Sequence, residues 1–243
     1  MKKAAIAALT VLLAACASSQ QPRTPDRVIN LALAGAPGQA QPSKVVATEL
    51  AFARMAREEG TWTAFREYAT KDAVMPAPNF RNVHEVLKDR ADPAEPIVWE
   101  PDMVWVSCNA QYALSTGPAD YPGGARGRFA TIWQLQKDGE YRWVVDQGFE
   151  LDEGYAKPEW ITADVAQCSA TRPSTAAPAT FADHSQGRSA DGTLVWRTEI
   201  AADCGRTFVV EVLRDGAMAE VFRREAAAPP VPQGREPIAC IPQ

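Results

Sequence analysis

The stretch that decides the fold runs from residue 97 to residue 146 and reads as four successive strands. They are Ile97-Val-Trp-Glu-Pro-Asp-Met-Val-Trp-Val-Ser107, Gln111-Tyr-Ala-Leu-Ser-Thr-Gly117, Arg128-Phe-Ala-Thr-Ile-Trp-Gln-Leu-Gln136 and Glu140-Tyr-Arg-Trp-Val-Val-Asp146. β-branched and aromatic residues dominate them. Turn signals separate them, most clearly Asp138-Gly139, because these residues readily adopt the positive φ of a tight hairpin. The pattern predicts an antiparallel meander whose side chains alternate between two faces.

Three helices and one short strand are predicted before the meander. Hydrophobic residues recur in each helix at three- and four-residue spacing, so each helix turns one face to a core. Glu49 and Phe52 lie on the core-facing side of the first helix, and Tyr68 lies on the core-facing side of the second. A carboxylate in the position of Glu49 lies either at the margin of the core or next to a partner. The elements are a helix over Lys44–Glu59 between the cap Ser43 and the stop Gly60, a helix from Thr61 to about Ala69, a strand over Asp72–Pro76 and a helix from Asn82 to about Arg90.

The chain divides into five regions by composition. Residues 1–16 form a targeting segment, and residues 17–43, rich in Ser, Gln, Pro, Ala and Gly, form a flexible tether. Residues 44–157 hold the helices and the meander. Residues 158–183, rich in Ser, Thr, Ala and Pro, form a connector. Residues 184–243 form a small β region with three predicted strands, which are Thr193–Ile200, Thr207–Leu213 and Ala217–Phe222.

The first sixteen residues carry the features of a targeting segment. Lys2-Lys3 precede an apolar stretch that is too short to span a bilayer, which needs roughly 20 residues. The stretch ends in Leu13-Ala14-Ala15-Cys16, which resembles a bacterial lipobox. This resemblance implies that acyl chains on Cys16 hold the protein at a membrane. Because no aspartate follows Cys16, it also implies the outer membrane, with the protein facing the periplasm. A plain secretory peptide cleaved elsewhere is the alternative.

Four further cysteines are expected to meet oxidising conditions in such a location. Cys108, Cys168, Cys204 and Cys240 allow two disulfides in any of three connectivities. Cys204 with Cys240 is preferred because that bond would tie the C-terminal tail to a strand region, and it would stabilise the fold by roughly 4 kcal/mol. Cys108 with Cys168 then follows by elimination. Buried free thiols are the alternative.

Charge and motifs exclude several classes of function. The net charge is −5, and no basic run follows the targeting segment, so nucleic acid is not an expected partner. The two histidines are His84 and His184. His84-Glu85-Val-Leu-Lys88 lacks the second histidine of a zinc-protease helix, and Gly123-Gly124 lies between strands rather than before a helix. We therefore expect no metal and no cofactor, and we assign no catalytic residue.

The order of the elements resembles the nuclear transport factor 2-like superfamily, the α+β fold shared with SnoaL-like cyclases and ketosteroid isomerase. The similarity covers somewhat under half of the chain and is strongest to SnoaL-like domains of unknown function in exported bacterial proteins. It rests on the order and spacing of seven segments. These are Glu49-Leu-Ala-Phe52-Ala, Ala64-Phe65-Arg-Glu-Tyr68, Lys71-Asp72-Ala-Val74, Trp99-Glu-Pro101, Tyr112-Ala-Leu-Ser-Thr-Gly117, Thr131-Ile-Trp133 and Trp143-Val-Val-Asp146.

The resemblance implies an α+β, cone-shaped domain of three N-terminal helices packed on a curved antiparallel sheet, followed by the small all-β meander. The helices and the sheet would enclose a pocket. Side chains on the core-facing sides of the helices and side chains that alternate along the strands give the candidate lining, although the aromatic ones would serve equally as core. The candidates are Glu49, Phe52, Tyr68, Trp99, Trp105, Trp133 and Asp146. Burial of Asp146 would raise its pKa, whereas the plainer interpretation has it capping a strand end.

Binding and catalysis in such a pocket are both implied by the superfamily. An isomerase needs a carboxylate base directly after the short strand, and Val74-Met-Pro-Ala-Pro78 has none. The favoured hypothesis is therefore an envelope lipoprotein that binds a small hydrophobic ligand or a protein partner. The rival is an isomerase, cyclase or hydrolase that acts on a small hydrophobic substrate through acids such as Glu49 or Asp102. A homodimer formed through the open face of the sheet is a further implication.

Overall fold

The computed structural model describes residues 40–168, 179–180 (backbone only), 183–228 and 240. The targeting segment, Cys16 and most of the tether lie outside these residues. The described residues form three helices and thirteen strands, so the α+β class is confirmed. The helices are α1 (Pro42–Glu58), α2 (Thr61–Tyr68) and α3 (Val83–Val86). The strands are β1 (Ala69–Pro76), β2 (Phe80–Asn82), β3 (Val98–Trp99), β4 (Met103–Val106), β5 (Tyr112–Asp120), β6 (Arg126–Leu135), β7 (Tyr141–Glu150), β8 (Thr162–Val165), β9 (Ala179–Thr180), β10 (His184–Arg188), β11 (Leu194–Ile200), β12 (Arg206–Arg214) and β13 (Ala217–Ala226).

Eight strands build one large curved sheet. Their order is β2-β1-β7-β6-β5-β4-β8, and β3 pairs with β5 beside this path. The predicted meander from β4 to β7 is antiparallel. The prediction of a wholly antiparallel sheet is wrong, because β1 runs parallel to β7 and β4 runs parallel to β8. Long stretches of chain separate both pairs, and only a long connection lets two strands pair in parallel.

The large sheet is covered on both faces. On one face the helices contribute to a core with Trp99, Trp133 and Trp143. The other face packs against a second sheet, whose order is β13-β12-β11-β10-β9. Leu114 and Ile132 of the large sheet share one buried cluster with residues of the second sheet. The described residues therefore form three layers, in the order helices, large sheet, small sheet.

The small sheet is larger than the sequence predicted. The three predicted strands are present as β11, β12 and β13, and β10 and β9 add two more by antiparallel pairing. β8 falls inside the predicted connector and belongs to the large sheet. Its four residues are all exposed, and two of them, Ala163 and Asp164, are of types that are depleted in strands, so the local sequence gave only a weak strand signal.

The helix ends differ from the prediction in two places, and the cap of α2 was not predicted. Helix α1 begins at Pro42 with Gln41 in the capping position, so the prediction of Ser43 as the cap is wrong. A proline suits the first turn because it lacks the amide proton that would stay unpaired there. Helix α2 is capped from a distance, since Asp92 Oδ1 accepts from the amides of Trp62 and Thr63. Helix α3 ends at Val86 rather than near residue 90.

Both predicted disulfides are formed. Cys108 is bonded to Cys168, with their Cα atoms 5.2 Å apart, and this bond joins the β4–β5 turn to the segment that follows β8. Cys204 is bonded to Cys240, with their Cα atoms 5.0 Å apart. The predicted connectivity is confirmed, and it ties a distant part of the chain back to each sheet.

Candidate functional site

A row of polar side chains crosses the helix-facing side of the large sheet. Ser115 on β5, Thr131 on β6 and Asp146 on β7 are direct neighbours in the strand register. Ser115 and Thr131 are fully buried, and Asp146 is partly exposed. An unpaired polar group in such a place costs about 1–3 kcal/mol, so each of these side chains needs a partner. The row is the polar centre of an otherwise apolar layer.

Glu49 reaches this row from α1 and is fully buried. Its Oε2 accepts hydrogen bonds from Ser115 Oγ at 2.5 Å and from Trp133 Nε1 at 3.0 Å. Its Oε1 accepts a hydrogen bond from Trp99 Nε1 at 2.6 Å. Burial raises the pKa of Glu49, and the hydrogen bonds from Ser115 and the two indoles oppose that rise. The carboxyl group is thus held in place by three neutral donors.

Asp146 forms the second acid of the row. Its Oδ2 accepts a hydrogen bond from Thr131 Oγ1 at 2.5 Å. The residue keeps some accessible surface, but protein atoms surround its carboxyl group closely. Burial raises the pKa of Asp146 to about 7, the bond from Thr131 opposes the rise, and the charge of Glu49 adds to it. The two carboxyl groups therefore influence each other's titration, and Asp146 exchanges its proton near neutral pH.

Tyr121 covers the Asp146 end of the row, and the sequence analysis missed it. Its ring lies against the backbone of Gly127 and Gly148, and a Cβ at Gly148 would lie 2.4 Å from the phenol oxygen. Burial raises the pKa of Tyr121 to about 12, and the charge of Asp146 adds to this rise. The available signal was Gly127 and Gly148, each within two residues of an end of a predicted strand (Arg128–Gln136 and Glu140–Asp146). A glycine at such a place can mark a close approach to the backbone.

Phe52 is the centre of an aromatic cluster between the helices and the large sheet. Its ring lies 4.8–5.9 Å from the rings of Phe65, Tyr68, Trp99 and Trp133. Phe52 and Trp133 are almost fully buried, whereas Tyr68 is partly exposed. Six of the seven predicted lining residues thus come together, namely Glu49, Phe52, Tyr68, Trp99, Trp133 and Asp146. The aromatic ones pack on one another as core.

Trp105 is the exception among the predicted lining residues. Strands β3 and β4 both pair with β5, but not in one continuous register. Trp99 of β3 pairs with Ala119, whereas Met103 of β4 pairs with Thr116, so the register against β5 shifts by one residue across positions 100–102. Trp105 therefore points away from the helices and packs in the cluster between the two sheets. Its prediction as a residue of the helix-facing pocket is wrong, because a one-residue shift turns every following side chain to the other face.

Gly117 makes the irregular segment before β4 possible. A Cβ at this position would lie 2.1 Å from the carbonyl oxygen of Glu100 and 2.9 Å from the amide nitrogen of Asp102. Only glycine permits such a close approach of two backbones. The segment in turn directs Asp102 to the side of the sheet that faces the small sheet, where it lines a cleft.

The cleft between the two sheets has a volume of about 480 Å³. Asp102 and Arg128 meet in it as a buried ion pair, in which both terminal nitrogens of the guanidinium donate to the carboxylate at 3.0 Å. Tyr155 donates its hydroxyl to Asp102 Oδ2 at 2.9 Å, and its ring lies 5.1 Å from the guanidinium carbon. Strand β13 forms the opposite wall, with Phe222 and Arg224. The sequence analysis considered Asp102 as an acid but missed its arginine partner.

The described residues offer neither a metal site nor a spanning helix. Among them, no group of three or more His, Cys, Asp or Glu side chains is placed to hold a metal ion. None of the helices within the described ranges is long and apolar enough to cross a membrane.

No protein-family model matches the sequence, and a search of curated proteins finds none that is similar.

Proposed function

We propose that the chain is a lipoprotein of the bacterial envelope, anchored through Cys16 at the outer membrane and facing the periplasm. The proposal is supported by the lipobox-like Leu13-Ala14-Ala15-Cys16. Two disulfides also support it, because such bonds form and persist in oxidising compartments.

A Cys16→Ser variant tests the anchor. Cells are grown with a palmitate analogue, and the membrane and soluble fractions are compared. The wild-type protein is expected to carry the label and to sediment with the membranes, and the variant is expected to do neither. Labelling of the variant, or a soluble and unlabelled wild type, would contradict the proposal.

The folded part of this lipoprotein is proposed to act by binding, in a domain of the nuclear transport factor 2-like type. One observation carries the proposal. The rings around Phe52 pack closely around the buried Glu49, whereas a cleft of about 480 Å³ opens between the two sheets. A small, partly apolar ligand therefore finds room between the sheets, and a protein partner would use the outer surface. The sheet face that the superfamily implies for a homodimer is covered by the small sheet, so a dimer would need another surface.

Native mass spectrometry tests the binding role on the Cys16→Ser protein exported to the periplasm. We expect an added mass that survives native spraying and disappears on denaturation. A Glu220→Trp variant places an indole in the cleft and should abolish the added mass. Met218→Trp, on the same strand but outside the cleft, is the matched control and should retain it. Equal retention by both variants would contradict a ligand in the cleft, and a bare wild-type mass would favour the protein partner.

A second candidate function is catalysis on a small hydrophobic substrate by the acid pair. The observation that favours it is the pKa of Asp146, which burial raises to about 7 beside Glu49, because perturbed carboxyl pairs are typical of acid–base sites. A substrate would have to part the aromatic rings around Phe52, so the helix-facing core would need to open.

Exchange of indole N–H protons separates the two functions. In a closed core, the N–H groups of Trp99 and Trp133 stay bonded to Glu49 and exchange slowly with solvent. Trp160, which is 77% exposed, is the internal reference for fast exchange. Slow exchange at the first two positions supports the binding role. Exchange as fast as that of Trp160 would show that the core opens, and it would favour an enzyme.

A further inference from the structure

The cleft between the sheets contains two hydrogen-bond donors that have no acceptor. The side chain of Arg128, on β6, is only 7% exposed, and Arg224 faces it from β13. The Nε atoms of both are buried, and neither has a hydrogen-bond partner among the described residues. Buried polar groups in folded proteins are nearly always paired. Two unpaired donors in one cleft therefore indicate that an acceptor binds there.

The orientation of Arg128 is fixed before any ligand arrives. Asp102 holds both of its terminal nitrogens, and the ring of Tyr155 lies along the guanidinium. The free edge of Arg128 is the one that carries Nε. Arg128 is thus a rigid donor rather than a side chain that must be ordered on binding, and a preorganised donor loses less entropy when it binds.

The carboxylate of Asp152 already stands between the two arginines. Its Oδ2 accepts a hydrogen bond from Arg224 Nη2 at 2.7 Å. The same oxygen is 3.7 Å from Arg128 Nε, which is too far for a hydrogen bond. Asp152 is half exposed and follows β7 in a segment without strand pairing. It therefore occupies the position of an anion but satisfies the two arginines only in part.

The charges of the cleft indicate that one negative charge fits there. Three arginines line it, namely Arg128, Arg223 and Arg224, together with the two carboxylates of Asp102 and Glu220. One positive charge is left over, and Asp152 neutralises it from outside the lining. A monoanion that displaced Asp152 would restore the same balance. Besides these charges, the lining contains the apolar side chains of Met103, Val221 and Phe222.

We propose that the cleft binds a small organic carboxylate, which displaces Asp152 from between Arg128 and Arg224 and packs its apolar part on Met103, Val221 and Phe222. The proposal rests on the proposed binding role of the cleft and names its ligand class. Guanidinium groups recognise planar carboxylates with good geometry, which favours this class over a neutral ligand.

Calorimetric titration of the full-length protein in detergent micelles tests the proposal, with hexanoate, 1-hexanol and inorganic phosphate as probes. Hexanoate should bind the wild type more tightly than the other two. Arg224→Gln removes one charged donor and should weaken hexanoate binding about tenfold. Asp152→Asn removes the internal competitor and should tighten it about threefold or more. The matched controls are Arg197→Gln and Asp120→Asn, which alter ion pairs outside the cleft and should leave hexanoate binding unchanged.

The outcomes separate this inference from the proposed function. If 1-hexanol binds as tightly as hexanoate and Glu220→Trp abolishes both, the cleft binds ligands but the carboxylate inference is overturned. Tighter binding of phosphate, or hexanoate binding that Arg224→Gln leaves intact, overturns it as well. If neither the wild type nor Asp152→Asn binds any probe, both the inference and the binding role of the cleft are overturned.

Discussion

The two faces of the large sheet bury their carboxyl groups in different ways. On the helix-facing side, Glu49 and Asp146 are held by hydroxyl and indole groups, all of them neutral. On the side that faces the small sheet, Asp102 forms a two-bond ion pair with Arg128. The acids on the helix-facing side thus have no compensating positive charge, whereas the acid on the other side has one.

The difference teaches how the partner of a buried acid sets its response to pH and to mutation. Burial raises the pKa of Glu49 and of Asp146, and the hydrogen bonds from neutral donors offset this rise only in part. Where an opposite charge compensates a buried acid, each member of the pair depends on the other for its stability. Five substitutions, each compared with a control variant, test this contrast.

The largest effect should come from packing, in which the two faces are alike. Phe52→Ala on the helix-facing side and Phe208→Ala between the sheets should each lower the free energy of unfolding by about 4 kcal/mol, because both rings are almost fully buried. Denaturant titration measures this loss. Leu50→Ala, on the same helix as Phe52 but 41% exposed, is the control and should cost far less. If Phe52→Ala costs no more than the control, the helix-facing layer contains a cavity.

The ion pair should show the next largest effect. Asp102→Asn should destabilise the protein by about 3 kcal/mol, because it removes the carboxylate that is hydrogen-bonded to the buried Arg128 and leaves only Asp152, whose Oδ2 is 3.7 Å from Nε. Asp120→Asn breaks an exposed pair with Arg126 and should change the stability by about 0.5 kcal/mol or less. The same denaturant titration compares the two. Equal costs would mean that the pair at Arg128 is solvated, and the contrast between the faces would then fail.

The change in stability caused by Asp146→Asn should be smaller than that of Asp102→Asn and, as the pH rises, opposite in sign. The folded protein keeps this proton up to about pH 7, whereas the unfolded chain releases it near 3.8, so wild-type stability falls as the pH rises between these values. Asparagine cannot titrate. The variant should therefore gain about 2 kcal/mol relative to the wild type between pH 5 and pH 8.

A second aspartate supplies the control for this prediction. The amide of Glu140 and the guanidinium of Arg142 lower the pKa of the exposed Asp138. The stability that Asp138 contributes is therefore lost as the pH falls, and Asp138→Asn should show no gain at pH 8. Thermal unfolding across the pH range measures both variants. A pH-independent difference for Asp146→Asn would mean that its carboxyl group is hydrated.

The smallest effect is expected from the neutral donor itself. Thr131→Val keeps the shape of the side chain and removes the hydroxyl that donates to Asp146. It should cost about 1 kcal/mol, and more at pH 8 than at pH 5, because the hydrogen bond stabilises the ionised form. Thr162→Val, on the exposed strand β8, should be neutral at both values. A cost that is larger at pH 5 would contradict the assignment of Thr131 as the donor to an ionising group.

The parts of the fold that depend on local pattern could be predicted. Strands β5, β6 and β7 were placed to within a few residues, because their alternation and their turn residues are visible in short windows. The place of Glu49 on the core-facing side of a helix was predicted, with its carboxylate either at the margin or paired, and the structure shows it buried and paired. The connectivity of the cysteines was confirmed, since one bond was expected to fix the tail and the other followed by elimination.

The rest depends on contacts between distant parts of the chain. The parallel pairing of β1 with β7 and of β4 with β8 leaves no mark in either partner's own sequence. The face on which Trp105 lies was mispredicted. One extra residue before β4 moves its side chain to the other face of the sheet, and the local sequence gives no signal of that extra residue. Arg128 was missed since its role needs Asp102 and the small sheet, which meet only in the folded chain.

The covering of the large sheet by the small one has a consequence for the order in which the chain folds. Synthesis proceeds from the amino end, and the large sheet is complete in sequence at Val165, before the strands from His184 onward that cover its second face. Until those strands arrive, Leu114, Ile132 and Val145 present an apolar surface to water or to other chains. A chain truncated before His184 should therefore aggregate, and we expect the nascent protein to depend on a chaperone until its last strands have emerged.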